Sequence, residues 1–114
     1  MITIKFTGTR PTNDIDFWWD SKDAEISGYC QLIRTLADAS GISHSYVVSD
    51  DGLSFTSTFT VNDMFEWQNF NTIMGSSIPG MKAKRLAYFQ EHQHSLIQDM
   101  IENETVRASH VIVL

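Results

Sequence analysis

Apolar and polar residues alternate from the start of the chain: Ile2, Ile4 and Phe6 interleave with Thr3, Lys5 and Thr7, the period-two pattern of a strand with one buried face, which ends at Gly8. Arg10-Pro11-Thr12-Asn13-Asp14 reads as a turn. Ile15, Phe17 and Trp19 then alternate with Asp14, Asp16 and Trp18, either as a short extra strand or as a loop pinned by its aromatics. The period then lengthens. Ile26, Tyr29, Cys30, Ile33, Leu36 and Ala37 recur every three or four residues, which predicts a helix capped by Asp20 or Ser21, with Asp23 and Glu25 at the positive end of its dipole and Gly41 closing it.

The strongest local signal follows. Asp50-Asp51-Gly52 separates the runs 44–49 and 53–59, and an Asp-Gly pair between alternating runs predicts a β-hairpin with Gly52 at positive φ. On its second strand Leu53, Phe55, Phe59 and Val61 alternate with Ser54, Thr56, Thr58 and Thr60, so one face is apolar and the other a ladder of hydroxyls. Thr60-Val61-Asn62-Asp63 resembles a capping box, with Phe59 and Met64 as a hydrophobic staple, and starts a second helix near Asn62. That helix carries Met64, Phe65, Trp67, Phe70, Ile73 and Met74 and stops at the Gly/Ser/Pro-rich stretch 75–80. A third helix is predicted over 81–103, with Leu86, Phe89, Leu96, Ile97 and Met100 on one face. Residues 104–114 close the chain as a strand with Val106, Ala108, His110, Ile112 and Leu114 on one side.

The predicted order is β-α-β-β-α-α-β over one domain, residues 1–114. A hairpin inside two split βαβ units is the ferredoxin-like α+β plan, with helices on one face of the sheet. The opposite, hydroxyl-rich face then has no second layer in a lone monomer, so a homodimer is expected.

The segment 36–41 (Leu-Ala-Asp-Ala-Ser-Gly), the hairpin, and residues 59–67 (Phe-Thr-Val-Asn-Asp-Met-Phe-Glu-Trp) resemble the middle of the dimeric α+β-barrel family. That family includes cofactor-independent antibiotic-biosynthesis monooxygenases and haem-degrading enzymes. The resemblance covers roughly residues 33–74 and implies a dimer whose sheets close into a barrel, with a cavity between each sheet and its helices. Two positions depart from the haem-degrading members: Phe59 stands where they carry a Trp, and Thr7 where they carry an Asn. Both departures count against inherited catalysis.

Composition narrows the partners. The 114 residues are 42% hydrophobic and carry a formal charge of −6, which opposes nucleic acid and anionic membrane as general partners. The acidity is uneven: ten acids and four bases lie in residues 1–66, whereas Lys82, Lys84 and Arg85 open the last helix as a basic cluster, either a solvated face or an anion or partner site. A single cysteine, Cys30, on an apolar helix stripe predicts a buried core thiol and a reducing compartment. With no signal-peptide pattern and no run of 18 apolar residues, the expectation is a cytoplasmic protein.

No high-specificity motif occurs. Glu91-x-x-His94 has the spacing of a di-iron ligand pair, but no other Glu in the chain has a His three residues on, so no metal or cofactor is expected. His92 falls at the flank of the third helix's apolar stripe, with His94 nearer solvent. Gln93 falls at the stripe's centre, where a buried amide needs partners. Trp18 and Trp19 are candidate pocket walls or interface anchors. The candidate ligand-binding residues are therefore Trp19, Trp67, His92, Gln93 and His110, with none assigned to catalysis. The expected function is binding of a small apolar or aromatic molecule, or of a protein partner, by a homodimer. A cofactor-independent monooxygenase and a structural subunit of a larger assembly are the alternatives.

Overall fold

A computed structural model describes residues 1–13 and 22–113. The segment 14–21, which includes Trp18, Trp19 and the expected caps Asp20 and Ser21, lies outside the described residues, as does Leu114. The elements are β1 (Ile2–Thr9), α1 (Ala24–Ala39), β2 (Ser43–Val48), β3 (Ser54–Val61), α2 (Met64–Ser77), α3 (Met81–Glu91), β4 (Ser95–Glu102) and β5 (Thr105–Val113).

The strands form one antiparallel sheet in the order β2-β3-β1-β4-β5. Because β2 and β1 both pair antiparallel to β3, they run parallel to each other with α1 crossing between them. By the same logic β3 and β4 flank β1, and the α2–α3 pair makes the crossover. Two interleaved split βαβ units result, an α+β arrangement consistent with the ferredoxin-like plan.

The alternation seen in the sequence decides which face is covered. Ile2 and Ile4 of β1, Phe55, Phe59 and Val61 of β3 and Leu96 of β4 are buried with Ile26, Tyr29 and Ile33 of α1, Trp67 and Phe70 of α2, and Phe89 of α3 in one cluster. At Gly8 the sheet has no room for a side chain. A Cβ there would stand 2.1 Å from the ring of Phe55, its partner across the β1–β3 ladder.

Local chemistry accounts for most boundaries. The hairpin turn closes through Gly52 N–H donating to Ser49 O at 2.9 Å, with Gly52 at φ 72° as expected. Asp51 braces it, its carboxylate accepting from Ser49 Oγ and Leu53 N. The α1 cap is Asp23, which accepts from Glu25 N and Ile26 N, so the helix starts later than a cap at Asp20 or Ser21 would have it, and Asp23 precedes the first turn where it was expected within it. The α2 cap is Asp63, accepting from Glu66 N at 2.8 Å, so the helix starts at Met64, two residues after the expected Asn62, and the cap is the last residue of the expected Thr60–Asp63 box and not its first.

The predicted third helix is corrected. It ends at Glu91, and residues 95–102 form β4, paired with β1 along its full length. The reason is a helix stop with no glycine: Gln93 adopts φ 58°, Gln93 N–H donates to Gln90 O, and His94 N–H donates to Phe89 O at 2.8 Å, which is the Schellman geometry. Leu96, Ile97 and Met100 therefore lie on a strand. The final strand is also revised, since register shifts at Leu96/Ile97 and Met100/Ile101 break the alternation expected of Val106 through Ile112.

Candidate functional site

Between the sheet and its helices lies a cavity of about 270 Å³. The strands supply its floor: Phe6 from β1, Phe55, Ser57 and Phe59 from β3, Leu96 and Gln98 from β4, and Ile112 from β5. Its walls come from the helices, with Trp67, Asn71 and Met74 of α2 and Lys82, Arg85, Leu86 and Phe89 of α3. The β3 residues reach it because a strand sends every second side chain to the same face. Trp67, Asn71 and Met74 reach it because spacings of four and three keep them on one side of α2.

The aromatic part is a connected cluster. The Trp67 ring lies 5.4 Å from that of Phe59 and 6.1 Å from that of Phe6, in tilted contacts, and Phe6 meets Phe59 edge to face. Tilted and edge-to-face contacts at these distances are the arrangements that the ring quadrupoles favour.

Polar groups enter at two places. On the floor, buried Ser57 stands within hydrogen-bond distance of His44 on β2, Oγ to Nε2 at 3.2 Å. Burial, and then the Arg34 guanidinium, hold the His44 imidazole below its ordinary value, against a smaller opposing pull from Asp38, so the ring is neutral near pH 7. At the α3 side, Lys82 Nζ donates to Asn71 Oδ1 at 3.2 Å. The Arg85 guanidinium lies over the Tyr29 ring, 5.5 Å from its centroid, and the Tyr29 hydroxyl donates to Met74 O at 2.9 Å. Burial pulls both cations below their ordinary values, and for Lys82 the Arg85 charge adds to the effect.

The basic cluster is thereby divided. Lys84 turns away from the cavity to Glu25 Oε2 at 2.6 Å and Asp23 Oδ2 at 3.4 Å on α1, while Lys82 and Arg85, three residues apart, share the cavity face. No Asp or Glu lines the cavity among the described residues. The start of α3 is unlike the other two: its cap is Gly80 with no side-chain hydrogen bond, and its first turn holds no acid. Cations at that end of a helix oppose its dipole.

Of the expected site residues, Trp67 lines the cavity and Trp19 lies outside the described residues. His92, Gln93 and His110 are not part of it. His92 caps the end of α3, its ring stacked on Tyr88 with centroids 4.1 Å apart and its Nδ1 2.9 Å from Tyr88 O. Gln93 is exposed in the helix-ending turn, so no buried amide exists there. His110 is exposed on β5 opposite Gln98. The expected positions of the other two histidines are reversed: His94 is 1% exposed and His92 is half-buried. Glu91 and His94 share no helix face, because the helix stops between them. Among the described residues no cluster of three or more His, Cys, Asp or Glu is placed to hold a metal.

The residues missed had signals of unequal strength. Ser57 is the one polar interruption of the Phe55-Phe59-Val61 row, and Asn71 interrupts the apolar side of α2; both were visible as oddities. Gln98 was hidden by its assignment to a helix. No helix among the described residues is long and apolar enough to cross a membrane. No family model, curated protein or solved structure matches the chain.

Proposed function

We propose that the protein is a non-catalytic binding protein that holds a small aromatic molecule in the cavity between sheet and helices, and that it acts as a homodimer through the open face of the sheet. The cavity carries the reading. Its volume sits just below the ~300–1,000 Å³ usual for ligand sites, which suits a one- or two-ring molecule and not a macrocycle. Its lining joins an aromatic cluster to a few polar groups, the usual division between affinity and orientation. Ser57 brings a hydroxyl to the cavity wall, with His44 behind it outside the lining, and no acid lies on that wall among the described residues. The homodimer rests on the other face, where Val106, Val111 and Ile97 of β5 and β4 stand 54%, 57% and 37% exposed beside the hydroxyl ladder. The resemblance of residues 33–74 to dimeric α+β-barrel proteins agrees with both halves of the reading.

The test is calorimetric titration with neutral and charged naphthalene derivatives, alongside light scattering. Saturable binding by the wild type, its loss in Leu86→Trp, which plugs the cavity, and twice the chain mass in solution are the expected results. A chain that binds none of the compounds does not have this function, and a monomer at micromolar concentration removes the dimer.

A further inference from the structure

Among the described residues the sheet brings two polar side chains to the cavity, Ser57 of β3 and Gln98 of β4, and its register relates them. Phe6 of β1 is directly opposite Ser57 on one side and Gln98 on the other. Residues directly opposite in a ladder share a face, so Ser57, Phe6 and Gln98 make one row across the cavity floor, polar at both ends and aromatic in the middle. Two strand spacings separate the ends, roughly 10 Å, which is the span of two fused rings with a substituent at each end. The middle of the row already belongs to an aromatic surface, because the Phe6 ring meets those of Phe59 and Trp67.

The hydrogen-bonding capacity at the two ends is neutral and two-sided. Ser57 is 2% exposed, and its hydroxyl has one donor and two acceptor positions, of which His44 Nε2 uses one. If Nε2 donates, the Ser57 proton remains for the cavity; if Nε2 accepts, oxygen lone pairs remain. A ligand carbonyl suits only the first arrangement, whereas a ligand hydroxyl suits both. Gln98 carries an amide, which both donates and accepts. A charged ligand atom on this floor would exchange its water for two uncharged partners, which costs more than burying a hydroxyl there.

We propose that the ligand of this cavity is a flat two-ring aromatic with a hydroxyl group at each end, laid along the row so that its rings cover Phe6 and its hydroxyls meet Ser57 Oγ and the Gln98 amide. The proposal rests on the binding function above and specifies its ligand class. The rings supply the affinity common to all such compounds, and Ser57 and Gln98 select among them, one hydroxyl each.

The experiment compares naphthalene, 2-naphthol and 2,6-dihydroxynaphthalene by calorimetry on the intact chain. In the wild type each hydroxyl is expected to raise affinity by about threefold to tenfold, so that the diol binds most tightly and naphthalene least. Ser57→Ala and Gln98→Met should each remove the advantage of the diol over 2-naphthol while leaving naphthalene affinity within twofold, and in the double variant all three compounds should bind alike. Circular dichroism melts establish that each variant is folded; should Ser57→Ala not fold, Gln98→Met alone decides the matter by the same loss. Equal affinity for the three compounds in the wild type, which would mean that Ser57 and Gln98 hold only water, overturns the proposal and leaves the cavity's binding function standing. An advantage of the diol that survives in Gln98→Met or in the double variant does the same. If none of the compounds binds, the binding function fails and the proposal with it.

Discussion

Along β3 successive residues enter two different environments. Phe55, Ser57, Phe59 and Val61 are buried under the helices, while Ser54, Thr56, Thr58 and Thr60 stay partly exposed on the other side, where Thr58 pairs with Ser45 of β2 through their hydroxyls. The covered face is aromatic, with a cavity edged by cations. The open face is hydroxyl-rich on β2, β3 and β1 and apolar on β4 and β5. One strand therefore feeds two surfaces with different demands: the covered face requires shape and charge placement, whereas the open face requires only a polar ladder and an apolar strip that a second copy can cover. Substitutions on the two faces should differ accordingly in both stability and binding.

The largest contrast is between neighbours on one strand. Phe59→Ala removes a ring that contacts Phe6, Trp67, Phe70 and His44, and should cost about 3–5 kcal/mol in urea unfolding. Thr58→Ala, one residue away on the open face, should cost less than about 0.5 kcal/mol. Comparable losses at both sites would place the polar ladder inside the dimer contact, which the apolar strip of β4 and β5 is expected to carry.

Acid should act on the covered layer. Desolvation, then the charges of His92 and Arg10, push His94 down to about 4 from an ordinary value of 6.5. Its folded state takes up a proton less readily than the unfolded chain, so the stability it contributes is complete above pH 6.5 and is lost progressively as pH falls toward 4. The full loss is on the order of 3 kcal/mol. His94→Phe should flatten that part of the stability–pH curve; a curve of unchanged slope would place the titration elsewhere.

The smallest effect has the opposite sign. At the end of α3, Gln93 holds a left-handed conformation that glycine adopts without strain, so Gln93→Gly should stabilise the protein by about 0.5–1 kcal/mol. Thermal melts resolve a change of that size. A destabilised variant would show that the Gln93 side chain makes a contact that outweighs the backbone strain.

That turn also explains what could be read from sequence. The ends of α1 and α3 have the same hydrogen-bond pattern: Ile42 N–H donates to Ala37 O at 2.9 Å, just as His94 N–H donates to Phe89 O. The first is marked by Gly41 and was legible. The second is marked by Gln93, a residue that says helix, and Leu96, Ile97 and Met100 fit the helical period by chance. The strand β4 and its wall residue Gln98 were lost with it. Strands with one buried face, the hairpin and the buried Cys30 were all legible, because local periodicity and turn chemistry agree with the tertiary packing there. The cavity was only half legible. Trp67 stood out by type, but the pairing of Arg85 with Lys82 and the separation of Lys84 depend on which neighbours α3 meets, and spacing alone does not give that.

The most direct measurement is a methyl-detected NMR titration of the chain with 2,6-dihydroxynaphthalene, using labelled Ile, Leu, Val and Met. The cavity carries Met74, Leu86 and Leu96, and the open face carries Ile97, Val106 and Val111, so the two sets report separately. Saturable shifts in the first set, with the second unmoved, are the predicted result. Shifts confined to Ile97, Val106 and Val111, or spread evenly over both sets, would contradict the assignment of ligand binding to the covered face.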